Sequence, residues 1–144
     1  MSALSKIFKT NENLEKSGIW LDYGENDDGD KMRVKIARAG GQNKKFSKAL
    51  EYATRPYRAA IQNNSLPDNV AERIYLEVFV DTVLLGWENI PDDDGKIIPY
   101  ERSAVIAQLK ALPEWFQDIK EQAGNMSLFR EEEREATLKN SGGS

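Results

Sequence analysis

Ile19-Trp20-Leu21-Asp22-Tyr23 and Met32-Arg33-Val34-Lys35-Ile36 are the two stretches on which the fold turns. In each, every second side chain is apolar: Ile19, Leu21 and Tyr23 in the first, Met32, Val34 and Ile36 in the second. Successive side chains of a strand point to opposite faces, so a period of two marks a half-buried strand. The segment between them, Gly24 to Lys31, is polar and glycine-containing, which reads as the loose loop of a β-hairpin. One face then carries the six apolar residues into a core, and the other shows Trp20 beside Arg33 and Lys35. A lone two-stranded hairpin is marginal in water, so this one is expected to lie on helices or to pair with another chain.

Ala39-Gly40-Gly41 ends the second strand, and beyond it the period changes. From Asn43 to Asn63 the residues Phe46, Ala49, Leu50, Ala53, Tyr57, Ala60 and Ile61 recur at three and four, the stripe of an amphipathic helix. Pro56 lies inside it and is expected to kink or break the helix near Ala53 to Arg55. Leu66-Pro67-Asp68 opens the next helix, with Asp68 as N-cap or first-turn acid. Val70 to Trp87 is apolar on nearly every face and is expected to be a central helix, wrapped by the others or by neighbouring subunits. Pro91 to Gly95 is an acidic turn, Ile97 to Tyr100 a short extended piece, and Ser103 to Leu112 a helix. Pro113 starts a further helix that buries Trp115, Phe116 and Ile119; Gly124-Asn125 interrupts it, and Ser127 caps a last polar helix reaching Lys139. Leu50, Ile74, Val78, Phe79, Leu109 and Phe116 are expected to meet in one cluster. The fold class is therefore α+β, predominantly α-helical: an N-terminal β-hairpin followed by a helical bundle. Residues 1–140 are expected to form one domain, with 141–144 a disordered tail.

The 144 residues include no histidine and no cysteine. That removes the commonest general base, the commonest soft metal ligand and the thiolate nucleophile together. The expectation is a binding protein that is not an enzyme, with no catalytic, cofactor or metal residue to name. A net charge of −4 argues against general affinity for nucleic acid or anionic membrane. Met1 to Lys9 lacks the core of a signal peptide, and no apolar stretch approaches the roughly 20 residues needed to span a bilayer.

Two Asp/Asn-rich loops invite a calcium reading, and both fail it. With Gly29 at the sixth position of an EF-hand loop, Gly24 stands first and Lys35 twelfth; with Gly95 sixth, Ile90 stands first. Gly40-Gly41-Gln42-Asn43-Lys44-Lys45 resembles a phosphate-cradling loop only in its glycines, and a strand-to-helix connection explains it better. Glu72, Glu77 and Asp81 could in principle supply an acid–base pair, but a salt bridge on the helix surface or a contact between subunits accounts for them more economically. Interaction surface is the remaining reading, with Trp20, Arg33 and Lys35 on the hairpin, Tyr75 and Trp87 on the apolar helix, and Phe129 at the head of the charged tail as its candidates.

Several blocks are similar to tail assembly chaperones of long-tailed bacteriophages. They are Lys6-Ile7-Phe8-Lys9, Asn13-Leu14-Glu15-Lys16 and Gly18-Ile19-Trp20-Leu21-Asp22-Tyr23-Gly24, then Val34-Lys35-Ile36-Ala37-Arg38-Ala39-Gly40-Gly41. Further along come Lys48-Ala49-Leu50-Glu51, Pro56-Tyr57-Arg58, Val83-Leu84-Leu85-Gly86-Trp87-Glu88-Asn89 and Leu112-Pro113. Together they cover most of residues 4 to 130.

The resemblance implies a non-catalytic protein of virion morphogenesis, made in the cytoplasm of the infected bacterium and absent from the mature virion. Its implied partners are the tape measure protein, whose apolar helical segments it keeps soluble, the tail tube protein, and itself as a homo-oligomer. The resemblance also implies a longer form made by a −1 ribosomal slip, through which the tube protein is engaged. Leu138-Lys139-Asn140 is where codons reading A AAA AAC would place it. A head–tail connector or tail completion protein is the alternative within the virion, and a small carboxylate-based enzyme or ligand-binding module the alternative outside it.

Overall fold

The computed structural model describes residues 2–130. Two short helices lead, α1 (Ala3–Phe8) and α2 (Glu12–Ser17), followed by strands β1 (Ile19–Glu25) and β2 (Lys31–Ile36). Helix α3 (Lys44–Thr54) passes through a 3-10 turn at Arg55–Tyr57 into α4 (Arg58–Gln62). Then come α5 (Asp68–Thr82), β3 (Leu84–Glu88), α6 (Arg102–Ala111), α7 (Pro113–Gly124) and a closing 3-10 turn, Met126–Phe129. The fold is α+β and mostly helical, with the hairpin first and most of the helices after it.

The hairpin has the expected faces. Ile19 pairs with Ile36 and Leu21 with Val34, so the inward residues of both strands stand opposite one another. Gly18, at the entry to β1, has φ +93, and a Cβ there would come within 2.8 Å of the Ile36 carbonyl oxygen. Only glycine fits that approach.

The sheet has three strands in the order β1-β2-β3, all antiparallel. This corrects the reading of Val70 to Trp87 as one helix. The helix stops at Thr82, and Leu84 to Glu88 crosses to pair with β2, Val34 facing Trp87 and Arg33 facing Glu88. A continuous apolar run has no period to separate a buried helix from a buried strand. Val83, still in the αR region, is the C-cap at which α5 ends, and Gly86 would weaken a helix carried further. Leu85 is the extra residue of a bulge between the Ile36–Leu84 and Lys35–Gly86 pairs.

The helical boundaries follow local chemistry. Pro56 breaks α3 as expected, and Thr54 donates its hydroxyl back to the Leu50 carbonyl at 2.8 Å where the helix gives way. Pro113 occupies the first turn of α7, where its missing N–H costs nothing. Beyond Gly124 it is the Asn125 side chain, and not Ser127, that caps the following turn by accepting from the Ser127 N–H. The expected polar helix to Lys139, the tail 141–144 and the Lys139-Asn140 pair lie outside the described residues.

One apolar core joins sheet and helices. Ile74, Val78, Phe79 and Leu109 are buried in it, with Leu50 and Phe116 partly buried against it, so the six expected residues do meet. Phe79 is the centre: its ring stacks on Tyr75 (6.0 Å) and meets Phe116 edge-on (5.3 Å).

Glu15 of α2 is the one buried carboxylate among the described residues. Its Oε1 accepts from Arg38 Nη1 at 2.6 Å, and its Oε2 from the backbone N–H of Gln42, also at 2.6 Å. The Gly40-Gly41 turn thus cradles an anion, but the anion is the protein's own. A side chain at Gly41 would collide with both Arg38 and Glu15. Burial alone would push the Glu15 pKa up; the bonds from Thr10, Arg38 and Gln42 outweigh it and hold the carboxyl below its ordinary value. Asn43, also buried, donates to the carbonyls of Arg38 and Thr82, tying the same turn to the end of α5.

Candidate interaction surfaces

Two surfaces among the described residues leave side chains of mixed apolar and charged character uncovered, and the fold builds each for a different reason. The first is the outer face of the sheet. Because β1 and β2 alternate, Trp20, Asp22, Arg33 and Lys35 all point away from the core, and the register adds Gly86 and Glu88 from β3. Trp20 is 41% exposed, with the Arg33 guanidinium 4.6 Å and the Lys35 ammonium 5.8 Å from its ring. Cations over an indole face hold it in place and keep it amphipathic. Arg33 is also bound by Glu88 through two of its nitrogens, whereas Lys35 faces Gly86 and forms no ion pair among the described residues. Gly86 leaves that end of the face bare; a Cβ there meets nothing within 4 Å.

The second surface is a groove of about 820 Å³ between α5 and α7. Its α5 wall includes Glu72, Arg73 and Leu76; its α7 wall includes Pro113, Phe116 and Lys120; Leu109 and Lys110 of α6 lie between. Both walls use the i, i+3, i+4, i+7 spacing that lines up one side of a helix over about 10 Å. Lys120 lays its ammonium 4.6 Å from the Phe116 ring and 5.7 Å from Tyr75, reaching across from one wall to the other.

The sequence candidates divide between these surfaces and the interior. Trp20, Arg33 and Lys35 stand together on the sheet. Tyr75 is half-buried and lines the groove. Trp87 is buried and is not part of a free surface: in β3 it lies opposite Val34, points inward, stacks on Trp115 (6.0 Å) and donates its indole N–H to the Ile98 carbonyl. Phe129 is fully buried as well, because the closing turn folds back onto α2, with its carbonyl accepting from the Asn11 N–H at 2.8 Å. Asp81 is an ordinary surface partner, bound by Arg102 at 2.7 and 3.1 Å. Tyr23 reaches Asp118 with its hydroxyl at 2.7 Å; burial, and then that carboxylate, raise its pKa. Absent from the sequence reading are the groove and α1, whose Leu4, Ile7 and Phe8 are all exposed.

The sequence profile of the YdaY prophage protein family matches residues 41–140. The chain belongs to the YdaY prophage protein family. It is therefore a phage protein. The YdaY match begins at the second glycine of the Gly40-Gly41 turn, so it takes in α3 to α7 with β3 and both walls of the groove, while Trp20, Arg33 and Lys35 precede it. No curated protein and no solved structure matches the chain. Among the described residues, no helix is long and apolar enough to cross a membrane.

Proposed function

We propose that this prophage protein is a tail assembly chaperone: a multimer that binds and solubilises the tape measure protein and promotes tail tube assembly, without catalysis. The observation that carries the reading is the pair of surfaces suited to protein partners, in a chain of a prophage family. A tryptophan flanked by two cations and a groove walled by two helices are features that recognise side chains and amphipathic helices. The sequence resemblance supplies the identity of the partners. On this reading the protein acts in the cytoplasm of the infected host, engages the tube protein through a frameshifted longer form, and leaves before the virion is complete. Co-expression with the tape measure protein of the same prophage tests it. The tape measure protein should move from the insoluble to the soluble fraction and co-purify with the chaperone; an insoluble tape measure protein, at matched expression, would remove the proposal.

Self-association is assigned to the sheet. The outer face carries Trp20, and a three-stranded sheet leaves β1 and β3 as edges. Trp20→Ala is expected to weaken assembly by at least about tenfold, as for an aromatic at the centre of an interface, while leaving the helical circular dichroism unchanged. Gly86→Lys, at a position where an added Cβ meets nothing within 4 Å, should crowd the same face and act in the same direction. Light scattering that finds the unmodified protein monomeric at high concentration would exclude the assembly.

A further inference from the structure

The groove between α5 and α7 differs in charge from the rest of the molecule. The chain as a whole carries −4, yet the groove is lined by three cations, Arg73, Lys110 and Lys120, against one carboxylate, Glu72. None of the three cations forms a salt bridge among the described residues, although most of the ion pairs there are made on the open surface. Lys120 rests on the faces of Phe116 and Tyr75. Between the charges the lining is apolar, with Leu76, Leu109, Pro113 and Phe116 within it. Leu109 is buried, and the rings of Phe116 and Tyr75 both rest on Phe79, so the aromatic part of this lining is held from beneath.

We propose that this groove binds an amphipathic helix of a partner protein whose apolar stripe is flanked by carboxylates. The walls are two helical stripes held apart by α6, the arrangement that receives a third helix along its length. Apolar residues of the incoming helix would cover Tyr75, Pro113 and Phe116, which keep exposed surface over the buried Leu76 and Leu109, and its carboxylates would meet Arg73, Lys110 and Lys120. Lys120 is the selective element. An acidic side chain pairs with it where it lies, whereas a basic one must displace it from two aromatic faces against like charge. The inference rests on the chaperone reading only for the identity of the partner, and it specifies what the bound segment must carry.

Two synthetic amphipathic helices with the same leucine stripe, one flanked by glutamate and the other by lysine, decide it. Fluorescence anisotropy with the full chain at low salt should show the glutamate peptide binding at least about tenfold tighter, the sum of a few partly exposed ion pairs, with the gap closing as salt is raised. Lys120→Glu and Lys110→Glu should each narrow or reverse the preference, and hydrogen exchange should place the protected amides on α5 and α7. Equal binding of the two peptides, no binding, or protection confined to the sheet overturns the proposal. Solubilisation of the tape measure protein without this preference would leave the chaperone reading standing and remove the groove from it. The preference without solubilisation would do the reverse.

Discussion

Replacing Phe79 with alanine should cost about 4 kcal/mol of stability, the middle of the range for truncating a buried aromatic. The residue is fully buried, and it loses two ring–ring contacts at once, the stack on Tyr75 and the edge contact with Phe116. Each such pair adds about 0.5–1.5 kcal/mol beyond the area it buries. Urea unfolding followed by circular dichroism measures the loss, which should appear as a lower midpoint with little change in slope. A second effect should accompany it. Tyr75 and Phe116 line the groove from opposite sides and both rest on Phe79, so a cavity beneath them lets both rings tilt. Phe79→Leu, which keeps most of the volume, should recover much of the stability. A loss from Phe79→Ala below about 2 kcal/mol, under the range for a buried aromatic, would mean that the core closes around some other residue.

Breaking the Glu15–Arg38 pair is expected to be nearly as costly. Glu15→Ala leaves the Arg38 guanidinium and the Gln42 N–H without their acceptor inside the fold. The expected loss is about 3 kcal/mol, the lower end for a buried pair deprived of one partner, because the Arg38 side chain keeps some exposure to water. Glu15→Gln should lose less, since its amide oxygen still accepts from Gln42. The pair also gives stability a pH dependence of definite sign. The folded state holds the Glu15 carboxyl below its ordinary pKa, so its contribution is complete above the ordinary carboxylate range and fades as the pH falls through and below it. The unmodified protein should therefore lose stability on acidification more steeply than Glu15→Gln. Parallel curves for the two would show that the carboxyl titrates alike in folded and unfolded chains.

Much of this fold was legible in the sequence because it is written in local periods. Alternation at Ile19 to Tyr23 and Met32 to Ile36 predicted both faces of the hairpin, and with them the position of Trp20 between Arg33 and Lys35. Pro56 and Pro113 marked a break and a start for reasons confined to one residue. The third strand was not legible, since Val83 to Trp87 is apolar throughout and carries no period. Its assignment decides where Trp87 goes: opposite Val34 in the strand, the ring points into the core. Short helices were equally silent: α2 depends on Asn11, whose side chain accepts from the N–H groups of Asn13 and Leu14, and six residues give periodicity little to show. Glu15 and Arg38 meet across a turn that local patterning does not relate. The groove needs three helices in place before its walls face one another, although each wall taken alone has the spacing of an ordinary helical stripe.

The return of the closing turn to α2 has a mechanical consequence. The Asn11 N–H binds the Phe129 carbonyl, and Arg130 Nη1 donates to the Ile7 carbonyl at 3.0 Å, so the first and last described segments leave the body side by side. A load applied through those two segments falls first on this pair of hydrogen bonds and opens them one after the other, as a zip opens, without shearing the sheet. That seam lies apart from the ladders that pair β1, β2 and β3, so strain along it reaches the sheet only after both of its hydrogen bonds have gone.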